Sequence, residues 1–60
     1  MKFIEVHTLD GNPVLVNLYN VCNICHREAG GTVVSFSEEY CIVVMELYTE
    51  VEDLIYNAYL

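Results

Sequence analysis

Positive charge is almost missing from this chain. Lys2 and Arg27 stand alone against nine acidic residues, for a formal charge of −7 over 60 residues. Proteins grip a phosphate backbone by displacing its counterions with Lys and Arg, so direct nucleic-acid binding is not expected, nor is binding to an anionic membrane. Long apolar runs are missing too, since no segment reaches the ~18 residues of a membrane span. Glu5 and His7 interrupt the apolar stretch that follows Met1-Lys2, so the start does not read as a secretion signal. The cysteines number three, an odd count that makes no disulfide framework. Without an export signal they point to free thiols in a reducing cytoplasm. Gly30-Gly31 is not followed by a helix N-terminus with a nearby lysine, which removes the phosphate-loop reading. No enzyme signature is present.

What the chain has in quantity is apolar mass, 55% of its residues. A domain of this length buries only about 60% of the surface its unfolded chain exposes. Some of that apolar surface therefore stays outside, and an exposed apolar patch usually marks an interface. A homo-oligomer or a protein partner is the expectation, with no cofactor. The negative charge either keeps a sticky small protein soluble or attracts a basic partner.

Along the chain, Phe3 to Thr8 alternates as a strand, with Ile4 and Val6 on one face and Glu5 and His7 on the other. Asp10-Gly11 supplies a tight turn. Pro13, with no N–H to give, belongs at the start of the next strand, Val14-Leu15-Val16. Asn17 to Asn20 reads as a helical turn, with an asparagine at each end able to bond its own backbone. Strands follow over 21–27, 32–36 and 40–45, separated by turns at Glu28-Ala29-Gly30-Gly31 and Ser37-Glu38-Glu39. The period then changes: Leu47, Val51, Leu54, Ile55 and Ala58 fall at helical spacing, with Glu50 and Asp53 opposite. Thr49 and Glu52 have the spacing of a capping box. The fold class is α+β, mainly β: a small antiparallel sheet or partly closed barrel of about five short strands with one C-terminal helix.

Cys22-Asn23-Ile24-Cys25-His26 spells C-x-x-C-H, the attachment pattern of a c-type haem. The chemistry needs both thiols on one side of a turn, whereas a strand sends residues three apart to opposite faces. Zinc could take Cys22, Cys25 and His26 together with Cys41 or His7, but the second C-x-x-C is absent. Thiol redox catalysis would need a thiol at a helix N-terminus. Buried strand cysteines acting as small hydrophobes are the plainer reading. His7 and His26 read as strand residues that are exposed or hydrogen-bonded, and the acids Glu46, Glu50, Glu52 and Asp53 as a solvated helix face. The five tyrosines read as core and interface mass.

Ile42, Val43, Val44 and Met45 make the last strand apolar on both faces. One helix covers one face of a small sheet, so the other face calls for a second chain or a closed barrel. These four residues, with Glu50 and Asp53 on the helix, are the candidate interface.

Leu9-Asp10-Gly11, Val16-Asn17 with Val21 and Ile24, Gly31-Thr32-Val33, Val44 with Glu46, and Glu50-Val51 with Leu54-Ile55 run in an order that resembles the FlbD-like family of small flagellar and swarming-motility proteins. The resemblance implies a non-enzymatic accessory protein acting through protein contacts in the bacterial cytoplasm. The chain departs from that pattern at Ser37-Glu38-Glu39, where an Asn-Gly turn is usual, and at Leu47, where a Ser cap is usual. The customary lysines are missing, and Cys22, Cys25 and His26 are additional. No functional residue carries over. The leading expectation is a non-enzymatic protein-interaction module of a bacterium or phage. The alternatives are a small acidic inhibitor or decoy of a basic partner, and a metal or redox protein using Cys22, Cys25 and His26.

Overall fold

The computed structural model describes residues 2–60. Strand β1 (Phe3–His7) pairs antiparallel with β2 (Pro13–Asn17), and β3 (Asn23–His26), β4 (Thr32–Ser35) and β5 (Cys41–Val44) form an antiparallel meander. Helix α1 (Tyr48–Ala58) closes the chain. The architecture is α+β, mainly β, in two small sheets that do not close into a barrel.

Each turn has a local cause. Gly11 takes φ +87°, and its N–H donates to the Thr8 carbonyl at 2.8 Å. The Thr8 N–H donates to Asn12 C=O, and Leu18 N–H donates to Lys2 C=O, both at 2.9 Å. In an antiparallel ladder the exchanging pairs alternate with non-exchanging ones, and these two bonds fix which are which. His7–Pro13 is therefore a non-exchanging pair. The N–H that Pro13 lacks would have pointed away from β1, so the proline costs the ladder nothing. The turn at Asn17 is a short 3₁₀ segment, Leu18–Asn20, with the Asn17 Oδ1 accepting from Tyr19 N–H at 3.0 Å.

The core lies between the sheets and the helix. Ile4, Val6, Val16, Leu18, Val34, Val44 and Val51 are buried together, and Ile24, Ile42, Leu54, Ile55 and Ala58 pack around them. The alternation of β1 delivers Ile4 and Val6 inward, as its period-2 pattern requires. Across the meander, the inward rows are Ile24–Val34–Ile42 and His26–Thr32–Val44. Four of the buried side chains (Val6, Val34, Val44 and Val51) are essentially without solvent contact. Each contributes roughly 1.5–3 kcal/mol relative to an exposed position. Thr32 is buried among them because its hydroxyl donates to Glu46 C=O at 2.8 Å.

Two expectations for the helix are corrected. Thr49 and Glu52 do not form the capping box: the N-cap is Leu47, whose N–H is held by Glu50 Oε1 at 2.8 Å. Leucine has no side-chain oxygen to complete the reciprocal bond, so only half of the device exists. Leu47 also leaves the inward stripe and is 55% exposed, because its extended backbone precedes the first helical turn. The third strand is shorter than 21–27, since Arg27 already enters the turn that Gly30 closes with φ +106°.

Gly31 shows how tightly the meander closes. Its φ is +81°, and a Cβ added there would lie 2.2 Å from the Val44 carbonyl oxygen, whereas Gly30 has open space around it. Gly31→Ala is expected to combine backbone strain with a steric clash and to cost about 2–4 kcal/mol. Gly30→Ala carries the strain alone, about 1–2 kcal/mol. Urea unfolding of the two variants checks this, and equal midpoints would show that the contact with Val44 is relaxed without cost.

Candidate functional site

The C-x-x-C-H segment places its groups apart. The Cys22 thiol donates to the Phe36 carbonyl at 3.1 Å, whereas the Cys25 thiol lies 3.7 Å from Asn23 Oδ1. Cys22, Cys25 and Cys41 are all free and exposed, which corrects the expectation that they are buried small hydrophobes. Strands this short leave one sheet face to solvent, and Cys25 and Cys41 fall on that face. Among the described residues, no group of three or more His, Cys, Asp or Glu side chains is placed to hold a metal ion. His26 ends β3 as an exposed residue.

The tightest polar cluster forms around Glu46, which the sequence pattern assigns to a solvated helix face. That assignment is corrected: Glu46 precedes the helix and its side chain is only 15% exposed. Oε1 accepts the His7 backbone N–H at 2.9 Å, and Oε2 lies 2.7 Å from His7 Nδ1. A carboxylate only accepts, so Nδ1 carries the proton. On the other side of the ring, Nε2 is 3.9 Å from Glu5 Oε2, an exposed and weak contact. Burial pushes the Glu46 carboxyl up. The bonds from the His7 ring and backbone, a backbone bond of Glu46 itself and the charge on His7 outweigh burial and hold it below the ordinary value. Beside this grip, Met45 N–H donates to His7 C=O at 2.8 Å and Thr8 bridges Val44. The cluster joins the two sheets.

The candidate interface residues divide. Val44 is wholly buried in the chain's own core and is withdrawn from the interface, and Ile42 packs against that core. Val43 points outward in the row Cys25–Val33–Val43, half-buried, and Met45 is 51% exposed. The helix lies on the inner side against β1 and β3, so among the described residues no helix or strand packs on the outer face. On the helix, Glu50 and Asp53 are exposed, although Glu50 is engaged by the Leu47 N–H.

A further surface has no counterpart in the sequence reading. A groove of about 590 Å³ runs between Val14–Asn17 of β2 and the tip of the β4–β5 hairpin, where Phe36, Tyr40 and Ile42 line it. The Phe36 and Tyr40 rings lie 5.5 Å apart and tilted by 34°, which stiffens that wall. A signal for it was present in Pro13, because a proline at a strand's start marks an open edge.

No family model, no curated protein and no solved structure matches this chain. Among the described residues, no helix is long and apolar enough to cross a membrane.

Two outcomes follow from this geometry. A group whose folded pKa is lowered binds fewer protons when folded, so its contribution is complete above the ordinary carboxylate range. That contribution is lost as pH falls through the lowered folded value. Glu46→Gln is therefore expected to cost about 1–3 kcal/mol at neutral pH and to flatten the acid limb of stability against pH. Urea titrations at several pH values check it, and an unchanged acid limb would assign acid unfolding to other carboxyls. For the thiols, residues three apart on a strand are separated by roughly 10 Å, beyond the ~7 Å limit for a disulfide. Mild oxidation is expected to yield no Cys22–Cys25 link within one chain, read by peptide mapping; finding that link would place both residues in a turn.

Proposed function

We propose that this chain is a non-enzymatic protein-interaction module of the bacterial or phage cytoplasm, self-associating through the outer face of its meander and meeting a partner with its acidic helix. The observation that carries the reading is the outward Cys25–Val33–Val43 row, in which Val33 and Val43 keep partial exposure, extended by Met45, which is half exposed. Isolated exposed apolar residues are ordinary, but a contiguous sheet face is an association surface. The FlbD-like resemblance agrees with an accessory role of this kind, including a motility-type one. An acidic decoy of a basic partner is the second reading, favoured by the −7 charge and by exposed Asp53. Partner capture that weakens steeply with salt supports the decoy, because exposed charge pairs are screened.

Native mass spectrometry of freshly reduced protein tests the main reading. A metal-free oligomer is expected, and Val43→Glu is expected to give monomer or insoluble protein. A soluble Val43→Glu oligomer indistinguishable from the parent would remove the outer face from the interface. A zinc or haem adduct at unit stoichiometry would move the function to Cys22, Cys25 and His26.

A further inference from the structure

The groove runs beside the edge of β2 that faces away from β1. The bonds from Leu18 to Lys2 and from Thr8 to Asn12 set the alternation along the hairpin, and in that alternation Glu5–Leu15 is a non-exchanging pair. Both the N–H and the C=O of Leu15 therefore point out of the ladder, on the open side of β2, together with the Pro13 C=O. The same logic applies to β5. Phe36 N–H donates to Tyr40 C=O, which makes Val33–Val43 and Ser35–Cys41 the non-exchanging pairs. Cys41 and Val43 thus point their peptide groups away from β4, toward the side on which β5 meets β1 at the Thr8–Val44 bridge, so the open edge along the groove is that of β2. The two sheets meet at Thr8–Val44 and part beyond it, which leaves the groove between them.

Three properties specify what fits there. Outward peptide groups spaced along a strand are satisfied by another extended backbone rather than by a compact small molecule. The lining by Val14, Val16, Phe36, Tyr40 and Ile42 suits alternate apolar side chains on that backbone. Ser37 lines both the groove and a shallow depression formed with Glu38 and Glu39, and the chain as a whole carries −7. A second copy brings the same acids and the same net charge, which opposes its docking at this place.

We infer that the groove accepts an extended segment of another protein, apolar at alternate positions and bearing lysine or arginine at its end, as a strand added along β2. The five residues of β2 match an added strand of similar length, with Leu15 as the central hydrogen-bonding position. The basic end lies over Glu38 and Glu39, so charge sets the direction and the apolar positions set the register. This deepens the interaction reading but uses a surface separate from the Val33–Val43 face, so the two succeed or fail separately.

The test is a titration of the isotope-labelled full chain, followed by amide resonances, with a synthetic peptide of about six residues that alternates valine and threonine and ends in lysine at both termini. Saturable shifts at the Leu15 and Ile42 amides are expected. Binding is expected to weaken about fivefold when the edge-forming amides of the peptide are N-methylated, since hydrogen bonds to the β2 edge are lost. A comparable weakening is expected for Glu38→Gln combined with Glu39→Gln, and on raising the salt. Leu15→Pro removes the outward N–H without touching the ladder to β1 and is expected to weaken binding similarly. If that variant does not fold, the N-methylated peptide still reports on the same bond. Val43→Glu recovered as soluble monomer is expected to leave peptide binding unchanged, which separates this site from the self-association face. Equal binding of the N-methylated peptide, equal binding of a glutamate-ended peptide, or no shift at Leu15 would each overturn the inference. A Leu15 resonance that moves on dilution of the protein alone would overturn it in favour of a second copy.

Discussion

The double hold of Glu46 on His7 is the constraint on which the rest of this fold depends. One carboxylate takes both the backbone N–H and the ring Nδ1–H of a residue 39 positions earlier. The Glu46 carbonyl meanwhile receives the hydroxyl of Thr32, which is the one buried polar side chain among the described residues. Three segments distant in sequence (the end of β1, the start of β4 and the link from β5 to α1) are thereby held at one point. A core this small has little surplus burial energy, so a joint whose carboxylate is largely buried, although the His7 ring is 37% exposed, contributes more here than a fully exposed ion pair.

The position of that joint explains what the molecule leaves open. It fastens the sheets at the His7 end of β1, next to the Thr8–Val44 bridge. Beyond that bridge the hairpin and the meander have no shared ladder, so the barrel remains unclosed and a groove lies along β2. The helix has its apolar stripe against β1 and β3 and cannot also cover the outer face of the meander. Two surfaces of different character result: an outer sheet face carrying the Cys25–Val33–Val43 and Asn23–Ser35–Cys41 rows, and a groove along β2 with Glu38 and Glu39 near one end.

Much of the fold was legible because its signals are local. Ile4 and Val6 alternate with Glu5 and His7, Asp10-Gly11 turns, Pro13 opens a strand, and Val51, Leu54 and Ile55 share one helix face; each follows from backbone geometry within a few residues. The candidate site was legible only in part. Val43 and Met45 do face outward, but Val44 belongs to the core, since alternation sends neighbouring residues of β5 to opposite sides. Glu46 was misread because it stands beside three helix acids in sequence, while its role is set by His7, far away along the chain.

By itself, the sequence determined the order of elements, the turns, the inward face of β1, the acidity, and the lack of basic residues for holding a phosphate backbone. Those properties depend on side-chain type and on periods of two or 3.6 residues, which a linear reading contains. The tertiary structure alone decided that the sheets stay separate, that Glu46 is their clasp, that Gly31 must leave room for the Val44 carbonyl, and that β2 borders an open groove. Each of these depends on where one segment stops against another. That is a distance in space between residues far apart in the chain, and no local pattern encodes it.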